Sequence, residues 1–386
     1  MKSKKINYQK ESLKLHKALV GKLEITLKTK IKNKHDLSTV YSPGVAGPCL
    51  AIEKDEKKYA QLVSAGITIA VISDGSAVLG LGNLGAKPSM PVMEGKSVLF
   101  KRFADINSIP IVLDTQDTEE IIQTIKNIAP SFGGINLEDI SAPRCFEIEE
   151  RLKKELDIPV FHDDQHGTAI VVLAGLINAL KITDKKPKKI KVVINGVGAA
   201  GVAITKLLRL YGIKNILLVD SKGLICNERN DLTETKKNLI KDNTQGNICG
   251  SLLTALENAD VFIGVSQPDL LGKNEIMAMA ENPIVFALAN PNPEIKPELA
   301  KKLGVKILAT GRSDYDNQIN NVLVFPGIFK GALEGKKSKI TDTMKLNAAK
   351  ALAAMVKNPT TKKIIPGPFE KGVMETIANA VKRTKN

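Results

Sequence analysis

Acidic side chains stand at the ends of two segments that the sequence predicts as β-strands, residues 133–140 and 158–161. The carboxyl ends of parallel strands form the ligand-binding edge of an open α/β sheet, and carboxylate oxygens suit Mg²⁺ or Mn²⁺. Neighbouring side chains on a strand point to opposite faces, so the chain must bend for them to converge, and residues 141–143 predict that bend. The alternative is that each acid only caps a following helix. The candidate metal ligands are Glu138, Asp139 and Asp164.

A lysine is the reactive side chain of another segment. Residues 67–72 predict a strand, residues 73–85 form a glycine-dense turn, and Lys96 opens a predicted helix over residues 97–103. Glycines at this density let the backbone approach a small ligand closely or adopt positive φ. Lys96 is then able to face a small ligand that is bound against the backbone of this turn. The alternative is a tight buried loop followed by a surface lysine.

Tyr41 begins a turn-rich loop that ends at Pro48. Pro43 and Pro48 fix φ, and Gly44 and Gly47 permit a tight backbone path. A tyrosine before such a loop is most often a packing residue. A phenol held rigidly at this position is also able to serve as a general acid.

The strongest single motif of the chain is Gly196-Val-Gly-Ala-Ala-Gly201. It follows a predicted strand rich in β-branched residues, 191–196, and leads directly into a predicted helix over residues 201–211. The next predicted strand ends in a carboxylate nineteen residues beyond Gly201, which suits a contact with the adenosine ribose hydroxyls. This is the dinucleotide-binding fingerprint, and its cofactor-binding candidates are Gly196, Gly198, Ala199, Ala200, Gly201 and Asp220.

Two further motifs resemble functional signatures, but the sequence around each does not predict the helix that the function would need. Gly80-Leu-Gly-Asn-Leu-Gly85 is another G-x-G-x-x-G, but a lysine and two prolines follow it within six residues. We therefore expect no helix to begin at Gly85, so a pyrophosphate would lack a helix N-terminus there. His162-Asp-Asp-Gln-His166 mimics the zinc-protease H-E-x-x-H, which needs both histidines on one face of a helix. A predicted strand runs into this segment, so we do not expect a zinc hydrolase.

The length and composition are sufficient for two domains with cores of their own. The chain has 386 residues, of which 43% are hydrophobic. The net charge of +15 is compatible with a nucleic-acid-binding protein. Only seven of the 56 basic residues are arginines, however, and specific base and phosphate recognition favours arginine. We expect no nucleic-acid partner, and a lysine-rich surface is able to steer an anionic substrate.

The chain also lacks the features of a membrane or secreted protein. Its longest apolar run, residues 169–180, is interrupted by Gly175 and Asn178 and falls short of the roughly 20 residues of a membrane helix. The first 36 residues hold eleven lysines and lack the apolar core of a secretory signal, and residues 7–23 predict an amphipathic helix at a subunit contact. Four scattered cysteines without a C-x-x-C pair indicate free thiols in a reducing cytoplasm.

Five motifs in this order resemble the malic enzyme family in its small bacterial form, from about Tyr41 to Phe369. They are residues 40–46, residues 73–97, residues 134–140, residues 159–168 and residues 192–201. The resemblance implies an N-terminal α/β malic domain, residues 1–164, that carries the catalytic and metal residues. A doubly wound Rossmann-type NAD-binding domain with C-terminal helices, residues 165–386, is then expected to follow. The helical tail is expected at residues 341–386.

The resemblance implies oxidative decarboxylation of L-malate to pyruvate and CO₂, with reduction of NAD or NADP and a requirement for Mg²⁺ or Mn²⁺. Lys96 would take the proton of the C2 hydroxyl, which needs a lowered pKa that a nearby divalent cation would provide. Asp163 would be a partner of Lys96, and Tyr41 would protonate C3. The three metal-ligand positions of the family match Glu138, Asp139 and Asp164.

Three further expectations concern the ligands. Asn290 is expected to meet both nicotinamide and substrate, and Asn320, or its neighbour Asn321, the substrate. Asp220 favours NAD over NADP because it would repel a 2′-phosphate, although the nearby Lys222 offsets part of this repulsion. The larger malic enzymes carry a malate-binding arginine where this chain has Ala77, so the substrate carboxylate must find another partner.

Other activities are open at the level of the sequence. An oxaloacetate decarboxylase or a dehydrogenase that does not decarboxylate would use the same scaffold, and a basic nucleic-acid-binding protein is the non-enzyme alternative. We expect a cytoplasmic homodimer that acts on L-malate without a membrane or nucleic-acid partner.

Overall fold

Two β-sheets built on parallel strands form the framework of the molecule, for which a computed structural model describes residues 7–78, 80–241 and 244–385. The first sheet is parallel throughout and has the spatial order β2-β1-β3-β4, with β1 (Thr68–Ser73), β2 (Asn107–Val112), β3 (Gly134–Leu137) and β4 (Val160–His162). The second has the order β10-β9-β8-β5-β6-β7, with β5 (Val192–Asn195), β6 (Ile216–Asp220), β7 (Gly223–Leu224), β8 (Val261–Gly264), β9 (Ile284–Ala287) and β10 (Ile307–Thr310). Only β7 among these described strands pairs in the antiparallel direction.

Helices connect and cover the strands. The N-terminal half contains α1 (Tyr8–Leu19), α2 (Lys34–Val40), α3 (Ala46–Lys54), α4 (Tyr59–Leu62), α5 (Ala86–Ala104), α6 (Thr118–Ile128), α7 (Arg144–Glu155) and α8 (Asp163–Ile182). The C-terminal half contains α9 (Ala199–Tyr211), α10 (Glu234–Ile240), α11 (Leu252–Leu256), α12 (Lys273–Ala278), α13 (Pro297–Lys302), α14 (Phe325–Glu334), α15 (Asp342–Ala354) and α16 (Val373–Arg383). Short 3₁₀ turns lie at Glu56–Lys58, Ser64–Ile67, Ala129–Ser131, Thr244–Asn247 and Asn321–Leu323.

The inner strands are continuous apolar runs because parallel sheets are covered on both faces. Every residue of β1, with the sequence Thr-Ile-Ala-Val-Ile-Ser, is buried, and so is every residue of β5, β8 and β9. The edge strand β2 is only partly buried. The α/β prediction is therefore confirmed, and the sequence pattern reflects burial on both faces of each sheet.

Helix α8 forms the centre of the main core. Fifteen of its residues are buried, and it packs mainly against α9 and α15. By length and composition it is the one helix of the described residues apolar enough to cross a membrane, but its most apolar stretch is 78% buried inside the protein. Its apolar composition therefore fits a core helix that is surrounded by protein. The division of the chain between residues 164 and 165 falls within the first turn of α8 and stays a prediction.

Two expectations from the sequence are wrong. Helix α5 begins at Ala86 directly after Gly85, although prolines were expected to prevent a helix there. Pro88 falls in the first turn, where backbone N–H groups have no partner within the helix, so it is tolerated. The cysteines are not all free thiols, since Cys226 and Cys249 form a disulfide. The segment after β6 folds back against the segment before α11, which brings together two cysteines whose distance in sequence gives no signal.

The N-terminal segment, residues 7–67, has no fully buried residue. It contains α1 to α4, and the side chain of its Lys22 donates to the carbonyl of Pro91 at 2.8 Å, while the Lys22 backbone N–H donates to Glu94. Tyr59 donates to the carbonyl of Pro130. These contacts hold the segment against α5 and the turn Ala129–Ser131 without giving it a core.

Candidate active site

Strand β3 ends at Leu137 and delivers Glu138 and Asp139 to the carboxyl edge of the first sheet. Both residues are almost fully buried. Asp139 has a φ of 52°, in the left-handed region that non-glycine residues rarely adopt. The backbone therefore already turns at Asp139 itself, before the expected bend at residues 141–143, where the peptide bond between Ala142 and Pro143 is cis.

The third carboxylate of the candidate metal site comes from helix α8, which begins at Asp163 and carries Asp164 in its first turn. Oδ2 of Asp164 accepts a hydrogen bond from the backbone N–H of Asp139 at 2.8 Å. Ligand atoms of Glu138, Asp139 and Asp164 lie within 4.8 Å of one another. This separation and the all-oxygen donor set fit one Mg²⁺ or Mn²⁺ ion, whose oxygen ligands lie within about 2.0–2.6 Å of the metal.

Lys96 lies in the middle of α5 and points at these acids. Its Nζ contacts Oε1 of Glu138 at 2.9 Å and donates to Oδ2 of Asp163, and the whole side chain is buried. Burial alone would lower the pKa of Lys96, but the charges of Asp163, Glu138 and Asp164 outweigh it and raise the pKa. Burial also raises the pKa of Glu138 well above its ordinary value. Lys96 is therefore the buried counter-charge of the acidic cluster.

The glycine-dense turn is bonded directly to the loop that carries the acids. The backbone N–H of Ala77 donates to the carbonyl of Asp139 at 2.9 Å, and the N–H of Ser141 donates to Oγ of Ser76 at 2.9 Å. Gly75 must be glycine, because a Cβ at its φ of 68° would lie 2.1 Å from the carbonyl oxygen of Gly85. This turn supports the metal-ligand loop from the side of β1.

A second support was not predicted from the sequence. Buried Glu149 on α7 accepts hydrogen bonds from the backbone N–H of His162 at 3.1 Å and pairs with Nε2 of His166 at 2.8 Å. It also pairs with Lys153. The spacing of Glu149 and Lys153 by four residues on a helix was the only available signal, and it is common on helix surfaces. Glu149 fixes the strand-to-helix junction that presents Asp164.

The dinucleotide fingerprint lies between β5 and α9. Gly198 precedes the first residue of α9, and a Cβ on Gly201 would lie 1.8 Å from the carbonyl oxygen of Gly196, so that the helix can approach the strand only with glycine. A Cβ on Gly198 or on Gly85 would meet no described atom within 4 Å. The close packing that defines the fingerprint is thus present at residues 196–201. Ala199 and Ala200 form the first turn of α9.

Asp220 ends β6, but its carboxylate is already paired. Its Oδ1 accepts from Arg229 at 2.8 Å and its Oδ2 accepts from Lys236 at 2.6 Å. Burial would raise the pKa of Asp220, and the hydrogen bonds from these two cations outweigh it, so the pKa is lowered. Arg229 also pairs with Asp231. The two cations were not predicted, because they follow Asp220 by nine and 16 residues in a segment without a motif.

One cavity of about 780 Å³ joins the two sheets. From the first sheet and its helices it is lined by Lys96 and the three candidate metal ligands, with Ala77 beside them. The second contributes Gly198, Ala199, Ala200, Asn290, Asn320 and Asn321. The cavity thus brings most of the sequence-derived candidates together across the two sheets. The carboxylate of Asp220 ends the neighbouring strand β6, outside the lining of this cavity within the described residues.

Tyr41 is the exception among the candidates. It directly follows α2, is 69% exposed and does not belong to the cavity lining within the described residues. The sequence predicted a rigid loop after Tyr41, and Val45 does donate its backbone N–H to the carbonyl of Tyr41 at 2.7 Å. Within one chain, the loop therefore holds this phenol away from the other candidates.

Two family models match the chain over most of its length. Residues 20–153 match the model described as Malic enzyme, N-terminal domain, and residues 165–384 match Malic enzyme, NAD binding domain. A Bifunctional malic/malolactic enzyme of Bacillus subtilis is 51% identical over 379 residues, 97% of this chain and 92% of that protein. An NAD-dependent malic enzyme of Geobacillus stearothermophilus is 56% identical over 363 residues, 94% of this chain and 76% of that protein.

The fold leads to the same family. The crystal structure of an NAD-dependent malic enzyme from Thermotoga maritima has a TM-score of 0.93 and 49% identity, and it covers 96% of this chain and 98% of that one. That of a malic enzyme from Pyrococcus horikoshii has a TM-score of 0.93 and 46% identity, with 97% and 90% covered. The two-part α/β fold with a Rossmann-type second part is confirmed, and this chain belongs to the malic enzyme family.

Proposed function

We propose that this chain catalyses the oxidative decarboxylation of L-malate to pyruvate and CO₂, with NAD as the preferred oxidant. The observation that carries this proposal is the single cavity in which a buried lysine, three carboxylates and the dinucleotide fingerprint meet. Malate offers a hydroxyl proton, a hydride and a carboxylate on adjacent carbons, which is the set of groups that such a cavity is able to handle.

Glu138, Asp139 and Asp164 would hold a Mg²⁺ or Mn²⁺ ion. The fit is chemical as well as geometric, because three acids so close together repel one another and a divalent cation offsets that repulsion. When bound, the ion would polarise the C2 oxygen of the substrate. The glycine-dense turn supports the loop of Glu138 and Asp139, and Glu149 supports the junction that presents Asp164.

Lys96 is the proposed base for the C2 hydroxyl proton. It must first lose a proton, and a cation shared among the neighbouring acids favours this because it weakens their hold on the ammonium group. Asp163 orients the Lys96 side chain through a direct contact. Tyr41 is the proposed acid that protonates C3 after CO₂ has left.

NAD, when bound, would accept the hydride from C2. The helix N-terminus at Gly198 and Ala199 would hold its pyrophosphate, since unpaired N–H groups and the helix dipole favour an anion there. Asn290 would contact both substrate and nicotinamide, and Asn320 the substrate, in the same cavity. A preference for NAD over NADP rests on Asp220, and Arg229 and Lys236 beside it reduce that preference without abolishing it.

We also infer a cytoplasmic homodimer. The sequence-based argument for the cytoplasm was that all four cysteines are free thiols, but Cys226 and Cys249 form a disulfide, which is more common outside a reducing compartment, so that argument now rests on the other two cysteines. Cys49 and Cys145 are free thiols. The homodimer is supported by the exposed apolar side chains of residues 7–67.

The experiment that tests this function follows the reduction of NAD by L-malate, with and without added Mn²⁺, while CO₂ is collected. We expect reduced nucleotide and CO₂ in equal amounts, and only with the divalent ion. Reduced nucleotide without CO₂ would indicate a dehydrogenase that does not decarboxylate. Lactate is measured in the same samples, because the Bacillus subtilis relative is named a malic/malolactic enzyme. CO₂ release from oxaloacetate alone would favour a decarboxylase.

A further inference from the structure

We propose that Glu294 is a positioning residue for the cofactor, because its side chain holds together the two loops that follow β8 and β9 on the cavity wall. The inference rests on the proposed function, since it takes the wall around Asn290 as the place where the nicotinamide of NAD binds. Glu294 does not belong to the cavity lining within the described residues, so it acts through the loops that it contacts.

The carboxylate of Glu294 connects the ends of two neighbouring strands. Its Oε1 accepts a hydrogen bond from the backbone N–H of Ser266 at 3.3 Å, and its Oε2 accepts one from the backbone N–H of Ala289 at 3.1 Å. Ser266 is the second residue after β8, and Ala289 is the second residue after β9. One side chain therefore ties two loops at the carboxyl edge of the second sheet to each other.

The burial of Glu294 depends on a glycine in β8. The residue is completely buried, and a Cβ on Gly264 would lie 2.3 Å from the Cδ of Glu294. The backbone N–H of Leu271 donates to the carbonyl of Glu294 at 2.9 Å, which fixes the residue against the segment after β8. A carboxylate loses its hydration at such a position, and that loss is costly. The chain thus keeps a costly group at the place where two loops of the cavity wall meet.

Both loops contribute to the cavity wall, which Ser266, Ala289 and Asn290 line together. Asn195, the last residue of β5, donates its side-chain amide to Oγ of Ser266 at 2.7 Å. The loop after β8 is therefore anchored on β5. Glu294 connects this anchored loop to the loop of Ala289 and Asn290, and so holds the second loop at the wall.

The ionisation of Glu294 depends on burial and on backbone groups. Burial raises the pKa of Glu294 to about 7, and hydrogen bonds from backbone N–H groups offset only part of this shift. No ionisable side chain of the described residues contributes to it. The ionisable residues on the segments packed against Glu294 are Asp260, Asp269, Lys273, Glu275 and Lys296. Acids with shifted pKa values are concentrated at functional sites.

The charge of Glu294 affects the proposed contact in one direction. The ionised carboxylate accepts both backbone N–H groups through charged oxygens, whereas one oxygen of the neutral acid carries a proton and is a weaker acceptor. The nicotinamide ring of NAD is positively charged, and a buried anion behind the wall favours that charge. NAD therefore binds more tightly to the form of the protein in which Glu294 is ionised.

The test measures the dissociation constant of NAD by isothermal titration calorimetry between about pH 5.5 and pH 8.5, without malate, so that no turnover occurs. At about pH 5.5 only about 3% of the molecules would carry an ionised Glu294. We expect the dissociation constant of the wild type to fall about 10- to 30-fold as the pH rises across this range.

Two glutamine variants assign this pH dependence to one residue. Glu294→Gln keeps the shape of the side chain and removes its charge, so it should bind NAD as weakly at about pH 8.5 as the wild type does at about pH 5.5. Glu298→Gln, at an exposed position in the first turn of α13, is the matched control and should follow the wild type. A Glu294→Gln variant that binds NAD as tightly as the wild type at about pH 8.5 would overturn the proposal.

ADP-ribose distinguishes a role at the nicotinamide wall from a general effect on the fold. It has the adenosine and pyrophosphate of NAD but lacks the nicotinamide, so its affinity should change less than about 2-fold with pH or with Glu294→Gln. An equal loss of affinity for both ligands would mean that the substitution disturbs the whole domain, and the proposal would be wrong. The comparison of the two ligands on the wild type needs no variant, so it decides the matter even if Glu294→Gln does not fold.

Malate oxidation by the same proteins separates this inference from the proposed function. A wild type that shows the expected pH dependence for NAD but does not oxidise malate would refute the proposed function and support the role of Glu294. A wild type that oxidises malate, while its affinity for NAD depends neither on pH nor on residue 294, would refute this inference alone.

Discussion

Lys96 shows how strongly a single side chain depends on the charges around it. Burial alone would favour the neutral amine, whereas the neighbouring acids favour the ammonium form and raise its pKa. Two of these acids, Glu138 and Asp164, are candidate metal ligands, and the third, Asp163, directly precedes Asp164 in the chain. A cation bound by them would therefore also change the proton affinity of the proposed base, and metal binding would then be coupled to base activation at Lys96.

The first prediction concerns Asp164. Asp164→Asn keeps an oxygen that can accept the hydrogen bond from the backbone N–H of Asp139, so the fold should be unchanged. It removes one of three ligand charges, and we expect the affinity for Mn²⁺ to fall at least about 10-fold. Titration of free Mn²⁺ by electron paramagnetic resonance measures this without an activity assay. Asp105→Asn, at an exposed helix end, is the matched control, and equal affinities would show that Asp164 is only a cap.

The second prediction concerns the choice between NAD and NADP. Lys236 donates to Asp220, and Lys236→Ala removes a cation that would attract a 2′-phosphate while it frees a carboxylate oxygen for the ribose hydroxyls. We expect the ratio of kcat/KM for NAD to that for NADP to rise about 5-fold, equivalent to about 1 kcal/mol. Lys237→Ala on the same helix, where the lysine pairs with Glu234, is the control. A ratio that stays constant would remove Lys236 from cofactor selection.

At the scale of the element, the sequence predicts those features whose residues follow one another directly in the chain. The fingerprint at residues 196–201 was predicted because a strand, a tight turn and a helix all follow one another there in the chain. The carboxylates were predicted for the same reason, since Glu138 and Asp139 directly follow β3 and Asp164 follows β4 in the first turn of α8. The position of the bend was not, because any residue from 138 to 143 could have adopted it, and Asp139 does so despite its unfavourable φ.

The start of α5 was mispredicted for a related reason. Prolines at positions 88 and 91 argue against a helix in isolation, but α5 begins early enough for the first proline to occupy its first turn. Contacts across the chain, such as Glu149 with His162 and Arg229 with Asp220, have no local pattern either. The position of Tyr41 is a further case, because the predicted loop leaves its side chain 69% exposed and outside the cavity lining of the described residues.

The third prediction concerns the helix start at α9. Gly198 lies where a Cβ would meet no described protein atom, so Gly198→Ala should fold normally. The open space is where the pyrophosphate would lie, and we expect the KM for NAD to rise about 10-fold or more as the methyl group enters it. Gly201→Ala is the contrasting variant, because its Cβ would lie 1.8 Å from the carbonyl oxygen of Gly196 and should lower the stability. An unchanged KM for Gly198→Ala would place the dinucleotide elsewhere.

The fourth prediction belongs to the whole molecule, since it concerns its free energy of unfolding. Burial raises the pKa of Glu294 from 4.5 to about 7. Between these values the folded protein keeps a proton that the unfolded chain releases, so this group lowers the stability as the pH rises, by up to about 3 kcal/mol. Above about pH 7 the loss is complete.

Urea unfolding of the wild type and of Glu294→Gln from pH 5 to pH 8 measures this effect. A difference in the free energy of unfolding that does not change with pH reflects the altered hydrogen bonds to the N–H groups of Ala289 and Ser266. Only the change of that difference with pH tests the pKa of Glu294. We expect the wild type to lose stability relative to the variant as the pH rises. Parallel curves would show that Glu294 titrates near its ordinary pKa.

Helix α8 links the candidate metal site at the edge of the first sheet to the packed helices of the second part. Its first turn supplies Asp164, while the rest of the helix is embedded against α9 and α15, and Glu138 and Asp139 come from the end of β3. A cation held by all three acids would thus act as a removable cross-link between the first sheet and the packed helices of the second part. Removal of the ion by a chelator would then weaken the coupling between the two parts. The ion required for chemistry would therefore also make the two parts unfold cooperatively.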